Sequence, residues 1–132
     1  MTRRKPPAWL RRRHRGASDR ELIEQLAMGM AVGDADGIRA VLQPDVVVVI
    51  DSGGRVPGTS SPVEGADAAS VALLALMTPE TSVTMVSINS APGFVLERED
   101  AVVGAVTAES RAHRISAVWV VCNPEKLRHW NG

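Results

Sequence analysis

Tyrosine is missing from this sequence, and aromatic side chains of any kind are scarce: Phe94, Trp9, Trp119 and Trp130 make up 3% of 132 residues. An oxyanion hole built on a tyrosine hydroxyl is therefore excluded, and four rings are thin for a pocket that must grip a polycyclic ligand. There is one cysteine, Cys122, so no internal disulfide can form, which agrees with a reducing, cytoplasmic compartment. It lies in the apolar run Trp119-Val120-Val121-Cys122, where a thiol packs as a small inert hydrophobe. No apolar run approaches the roughly 20 residues of a membrane helix, and the amino terminus lacks the apolar centre of a secretory signal, so no membrane partner is expected. Histidine is sparse (His14, His113, His129), and no pair of His, Cys or carboxylate residues has a recognised ligand spacing. Neither a metal nor a cofactor is expected.

What the sequence does have is a 45% hydrophobic fraction on a length that suits one domain with a self-sufficient core. Its net charge of zero hides a division. Residues 1–15 carry seven basic side chains and no acid, while the other 117 carry eight basic against fifteen acidic ones, a net of −7. Residues 1–17, with Pro6-Pro7 and poor periodicity, read as a basic arm that is disordered when alone; residues 18–132 read as the folded domain. The arm suits nonspecific, salt-dependent contact with nucleic acid at most, since nothing resembles a recognition helix.

Ser18-Asp19-Arg20-Glu21 has the form of a capping box, followed by an apolar stripe of Leu22, Ile23, Leu26, Ala27 and Met30 at helical spacing. Gly33 ends that helix, and Asp34 or Asp36 caps a shorter one through Leu42, closed by Pro44. Val46 to Ile50 is β-branched throughout and predicts a strand covered on both faces. A loop rich in Gly, Ser and Pro follows. Asp67 then caps a third helix, Ala68 to Met77, apolar nearly all round. Four strands complete the chain: 81–89, 94–98, 101–109 and 114–122, with Glu99-Asp100 as a tight turn and Gly104 marking a bend. Periodicity thus gives one α+β domain with an antiparallel meander, and Trp119 is expected in the core or lining a cavity.

Two short stretches carry more. Asp51-Ser52-Gly53-Gly54-Arg55-Val56 resembles the Asp-Gly-Gly-Gly-Lys-Val motif of extracytoplasmic-function sigma factors with a SnoaL-like extension, the sigma-J type. Asn123-Pro124-Glu125-Lys126-Leu127 resembles their Asn-Pro-Asp-Lys-Leu motif, and the resemblance covers about residues 18 to 130. It implies a cone-shaped fold of the SnoaL-like, nuclear-transport-factor-2-like class, a curved mixed or antiparallel sheet wrapped on three helices. It also implies that both motifs lie on a surface facing sigma-factor regions or RNA polymerase, and that the domain modulates them by contact. Ser52 and Arg55 replace Gly and Lys, and Arg presents a rigid fork rather than a point charge. The promoter-binding regions have no counterpart here, which leaves a regulator acting in trans, a decayed paralogue or a fragment.

The residues have a reading of their own. Gly53-Gly54 permit a sharp reversal after Asp51, from which Arg55 emerges close enough to pair with it. Asn123 is a good N-cap and Pro124 a good first helical residue, so 124–129 can form one helical turn. SnoaL-like cones also include polyketide cyclases, isomerases and hydrolases, which need a desolvated carboxylate or a His–Asp pair aimed into the cone. Asp51 and Glu109 are the strand carboxylates that could serve; His14 lies in the arm, His113 in an exposed turn and His129 beyond the second motif. The expectation is a noncatalytic regulatory or protein-interaction domain, with a small apolar ligand in the cone or SnoaL-like catalysis as the alternative. An apolar open sheet face would permit a homodimer.

Overall fold

In the computed structural model, residues 8–51, 62–123 and 126–128 are described, with side chains from Asp19 onward. Among them the chain forms three helices and six strands: α1 (Ala8–Val32), α2 (Ala35–Ala40), β1 (Leu42–Asp51), β2 (Val63–Glu64), α3 (Ala66–Leu74), β3 (Ser82–Ile88), β4 (Ala91–Arg98), β5 (Ala101–Arg111) and β6 (Arg114–Val121). No helix of the described residues is long and apolar enough to cross a membrane.

The strands form one mixed sheet in the order β2-β1-β6-β5-β4-β3. The meander from β3 to β6 is antiparallel, whereas β1 runs parallel to β6, aligning Val47 to Asp51 with Ala117 to Val121. Register breaks between Leu42 and Val47, Leu96 and Glu97, and Glu109 and Ser110 each let the sheet bend, which gives the curved sheet of a cone. Gly104 lies opposite Leu96 at one of these breaks, as the bend expected there requires. The hairpins turn on residue pairs with consecutive positive φ: Asn89-Ser90, Glu99-Asp100 and Ala112-His113. Type I′ turns demand this, because their twist matches the twist of the strands.

One face of the sheet is packed under the helices. Ile23, Leu26 and Met30 of α1, Ile38 of α2, and Ala69 and Leu73 of α3 meet Val46, Val48, Phe94, Leu96, Val106, Val118 and Val120 in one buried cluster. Ser70 is the single buried polar residue among those described, and its hydroxyl donates to the Asp67 carbonyl at 2.8 Å.

Several expectations are corrected. Because α1 begins at Ala8, residues 8–17 of the expected arm continue the helix and 18–21 lie inside it rather than capping it; residues 1–7 are outside the described set. Of the two caps expected for α2, Asp34 serves by accepting from the Gly37 amide at 3.0 Å, while Pro44, expected to close that helix, falls within β1. Helix α3 starts at Ala66 with Gly65 as its N-cap, two residues before Asp67, and exposes Val71, so it is buried on one side only. β1 alternates: Val46 and Val48 are buried, Val47 and Val49 half-buried. Trp119 is 39% exposed, because Val118 and Val120 take the core-facing positions and leave it on the opposite face.

Candidate functional site

The parallel pairing of β1 with β6 decides where the two sequence motifs meet. Asp51 ends β1 directly beside Val121, and the Cys122 amide donates to the Asp51 carbonyl at 2.7 Å. The chain then turns over Asn123, whose carbonyl accepts from the Lys126 and Leu127 amides at 3.0 and 3.1 Å. That turn returns Lys126 to the end of β1, where its Nζ donates to Asp51 Oδ2 at 2.6 Å. Residues 75 positions apart are thereby joined by one ion pair. Lys126 is mostly exposed and Asp51 about one third exposed, so the pair sits at the surface.

Leu127 holds the turn in place. It is buried with Val95 and Val102 against the sheet face that carries no helix, and Val86, Ala105 and Val121 pack around it. A second, smaller core therefore lies under the carboxy-terminal turn. Of the residues singled out from sequence, Asp51, Asn123, Lys126 and Leu127 are gathered at this corner; Ser52, Gly53, Gly54, Arg55, Val56, Pro124, Glu125 and His129 lie outside the described residues. Arg55, the partner of Asp51 expected from sequence, lies outside the described residues; within them Lys126 pairs with Asp51.

On the other side of this strand end, Cys122 packs against the main core. Burial pushes its thiol above the ordinary cysteine range; the Arg98 guanidinium opposes that shift and the Asp51 carboxylate adds to it. Arg98 is itself fixed, donating from Nε to Thr81 Oγ1 at 2.7 Å and from Nη2 to the Leu76 carbonyl at 2.9 Å. It ties the end of β4 to the link between α3 and β3.

Neither strand carboxylate is aimed into the space between helices and sheet. Glu109 pairs across strands with Ala117, which aligns with Val47, so it shares the uncovered face with Asp51. His113 is exposed in its turn. Among the described residues no group of three or more His, Cys, Asp or Glu could hold a metal ion. A shallow groove of about 320 Å³ lies between α1 and the β3–β4 hairpin, polar at Arg20, Ser87 and Ser90 and apolar at Met85 and Pro92. A second, of about 350 Å³, runs along α1 beside Met28, Ala31, Val83 and Met85.

The fold of the described residues is a SnoaL-like, nuclear-transport-factor-2-like cone. No family model matches the chain, and no curated protein matches it in sequence. Solved structures do. The chain is similar to the extracytoplasmic-function sigma factor SigJ of Mycobacterium tuberculosis, with 23% identity and a TM-score of 0.65 over 90% of this chain and 47% of that one. It thus spans about half the length of SigJ. It is similar also to a protein of Kribbella flavida assigned as a ketosteroid isomerase (17% identity, TM-score 0.59, 80% of this chain and 78% of that one). An LEH-like epoxide hydrolase of M. tuberculosis matches at 15% identity and a TM-score of 0.56, over 87% of this chain and 90% of that one. At such identities the shared property is the fold, which fits a sigma-factor domain and an enzyme alike.

Proposed function

We propose that this chain is a noncatalytic regulatory domain that binds extracytoplasmic-function sigma regions, and through them RNA polymerase, with the corner formed by Asp51 and Lys126. The observation that carries the reading is the 2.6 Å ion pair uniting the two motif stretches at the surface. The chemistry of that corner is recognition: an exposed ammonium beside a carboxylate about one third exposed, on a turn anchored by buried Leu127. Exposed pairs of this kind contribute only about 0–1 kcal/mol to stability. The same two charges can contribute more at an interface that excludes water.

The core supports a binding role over a catalytic one. Among the described residues, Phe94, Leu26, Met30, Leu42 and Leu96 are buried under the helices, while Asp51 and Glu109, the strand carboxylates that could serve as acid or base, lie on the opposite face. The groove beside Arg20 favours a second reading, a site for a small ligand with one polar edge, its volume lying at the lower limit for such pockets.

A charge swap tests the first reading. Lys126→Glu and Asp51→Lys each break the internal pair, and the double swap restores it with opposite polarity. Affinity for sigma regions is expected to fall at least about tenfold in all three, since a partner reads the polarity. Full recovery in the double swap would reduce the pair to a structural clip and contradict the reading.

A further inference from the structure

The two edges of the sheet differ in how open they are to further pairing. β2 is two residues long, follows Pro62 and carries Glu64, so its edge is short and charged. β3 forms the other edge. Ser82–Ile88 contains no charged residue, proline or glycine, and it pairs with β4 over seven consecutive residues without a bulge. Among the described residues no backbone hydrogen bond reaches its free side. Charge, proline and bulges are the devices that block edge pairing, and β3 has none of them.

Helix α1 gives this edge an apolar flank with one charge of each sign. The two grooves along α1 meet at Met85. Arg20 stands beside Met85, Val86 and Ser87, whereas Glu24 and Met28 stand beside Val83 and Met85. Both charged residues are exposed, and neither forms an ion pair among the described residues. Met28 and Val32, one helical turn apart, are 63% and 66% exposed.

A two-fold axis at Met85 would lay β3 antiparallel against β3 of a second copy. It sets Val83 opposite Ser87 and brings Arg20 of each copy towards Glu24 of the other. Helix α1 packs on β3 and β4 alike, so it is centred about half a strand spacing, about 2.4 Å, inside β3. One further spacing of about 4.8 Å between the two β3 strands then puts the α1 helices about 10 Å apart, a distance at which helices pack. Strand pairing therefore closes the exposed Met28 sides against each other as well.

We infer that this chain forms a two-fold dimer by antiparallel pairing of β3 with β3 of a second copy, with reciprocal Arg20–Glu24 ion pairs and Met28 in the seam between the α1 helices. The two sheets join edge to edge, and the second copy covers the grooves beside α1. The helix-free face with Trp119 and the Asp51–Lys126 corner stay outside the contact, so the inference does not rest on the proposed sigma-binding role.

Sedimentation velocity of the full chain, with amide exchange at about 5 and about 500 μM protein, tests the inference. A dimer is expected, and the β3 amides that point away from β4 should exchange at least about tenfold more slowly at the higher concentration. Arg20→Glu and Glu24→Arg should each weaken self-association at least about tenfold, and mixing the two variants should restore a heterodimer by pairing the reversed charges. Met28→Lys should weaken it in the same direction. Circular dichroism matching the parent shows that each variant folds. A monomer at both concentrations or no heterodimer on mixing would overturn the inference. So would a dimer whose β3 amides stay fast and which is lost in Trp119→Asp, since the contact would then lie on the sheet face.

Discussion

At the scale of single residues, the corner holding Asp51 shows how little of a contact can be read from chain order. Both motif stretches could be picked out, because turn-forming Gly53-Gly54 and Asn123-Pro124 are unusual beside fixed charges. Their meeting could not, because it depends on a parallel pairing of β1 and β6 that no periodicity encodes. Trp119 failed for a related reason. Its run Val118-Trp119-Val120 is apolar on both sides, and hydrophobicity alone does not say which parity faces the core. Cys122 was legible: it is packed, and burial raises its pKa, so it stays a neutral thiol near neutral pH. Its reaction with a thiol reagent at pH 8 is expected to be at least about tenfold slower in the native chain than in urea. A raised thiol pKa stabilises the fold fully below the unfolded value of about 8.5, and that contribution is lost as pH rises through the folded value. Urea midpoints should therefore fall above about pH 8.5, and less so in Cys122→Ala. Gly93 supplies a steric test. A methyl there would stand 2.7 Å from the Val106 carbonyl oxygen and 2.8 Å from Ile88 Cδ1, whereas at Gly104 it would stand 3.2 Å from the flexible Leu96 Cδ1. Gly93→Ala is expected to cost about 1–3 kcal/mol in urea denaturation and Gly104→Ala less.

At the scale of elements, the four strands of the meander lay close to where alternation put them, since each is bounded by residues that turn or break the ladder. Helix ends were harder. The stretch 18–21 has the composition of a cap, yet the helix continues through it to Ala8, so local cap chemistry yields to propagation of an existing helix. The β5–β6 hairpin carries a visible mismatch: Ala112 and His113 both adopt positive φ, a conformation that costs an ordinary residue about 1 kcal/mol or more. The double substitution Ala112→Asn/His113→Gly supplies the residue pair that such a turn favours, and it should raise stability by about 1 kcal/mol, checked by thermal unfolding. The carboxy-terminal turn is an element held by one side chain. Leu127→Ala is expected to cost about 2 kcal/mol and to speed amide exchange in residues 126–128 more than in β5. Equal acceleration across the sheet would show instead that the turn is not a separate unit.

At the scale of the whole molecule, the fold class was legible because order and patterning agree: helices first, then an antiparallel meander with a bend at Gly104. Function was less so, since the same cone serves a sigma factor and an epoxide hydrolase. What separates such uses is local, and among the described residues the local features are a paired-charge corner at the end of β1 and an uncovered sheet face with acidic edges. The division of charge between residues 1–15 and the rest also acts at this scale. Any nucleic-acid binding should fall steeply between about 50 and 200 mM salt and disappear when residues 1–15 are deleted, as filter binding would show. The central claim, that the Asp51–Lys126 corner recognises extracytoplasmic-function sigma regions, is tested most directly by titrating the full chain into sigma regions encoded beside its gene and measuring the heat of binding. A Kd of about 1 μM or tighter, weakened at least about tenfold by Lys126→Glu, is the expected result. Absence of binding, or binding that Lys126→Glu leaves unchanged, would contradict it.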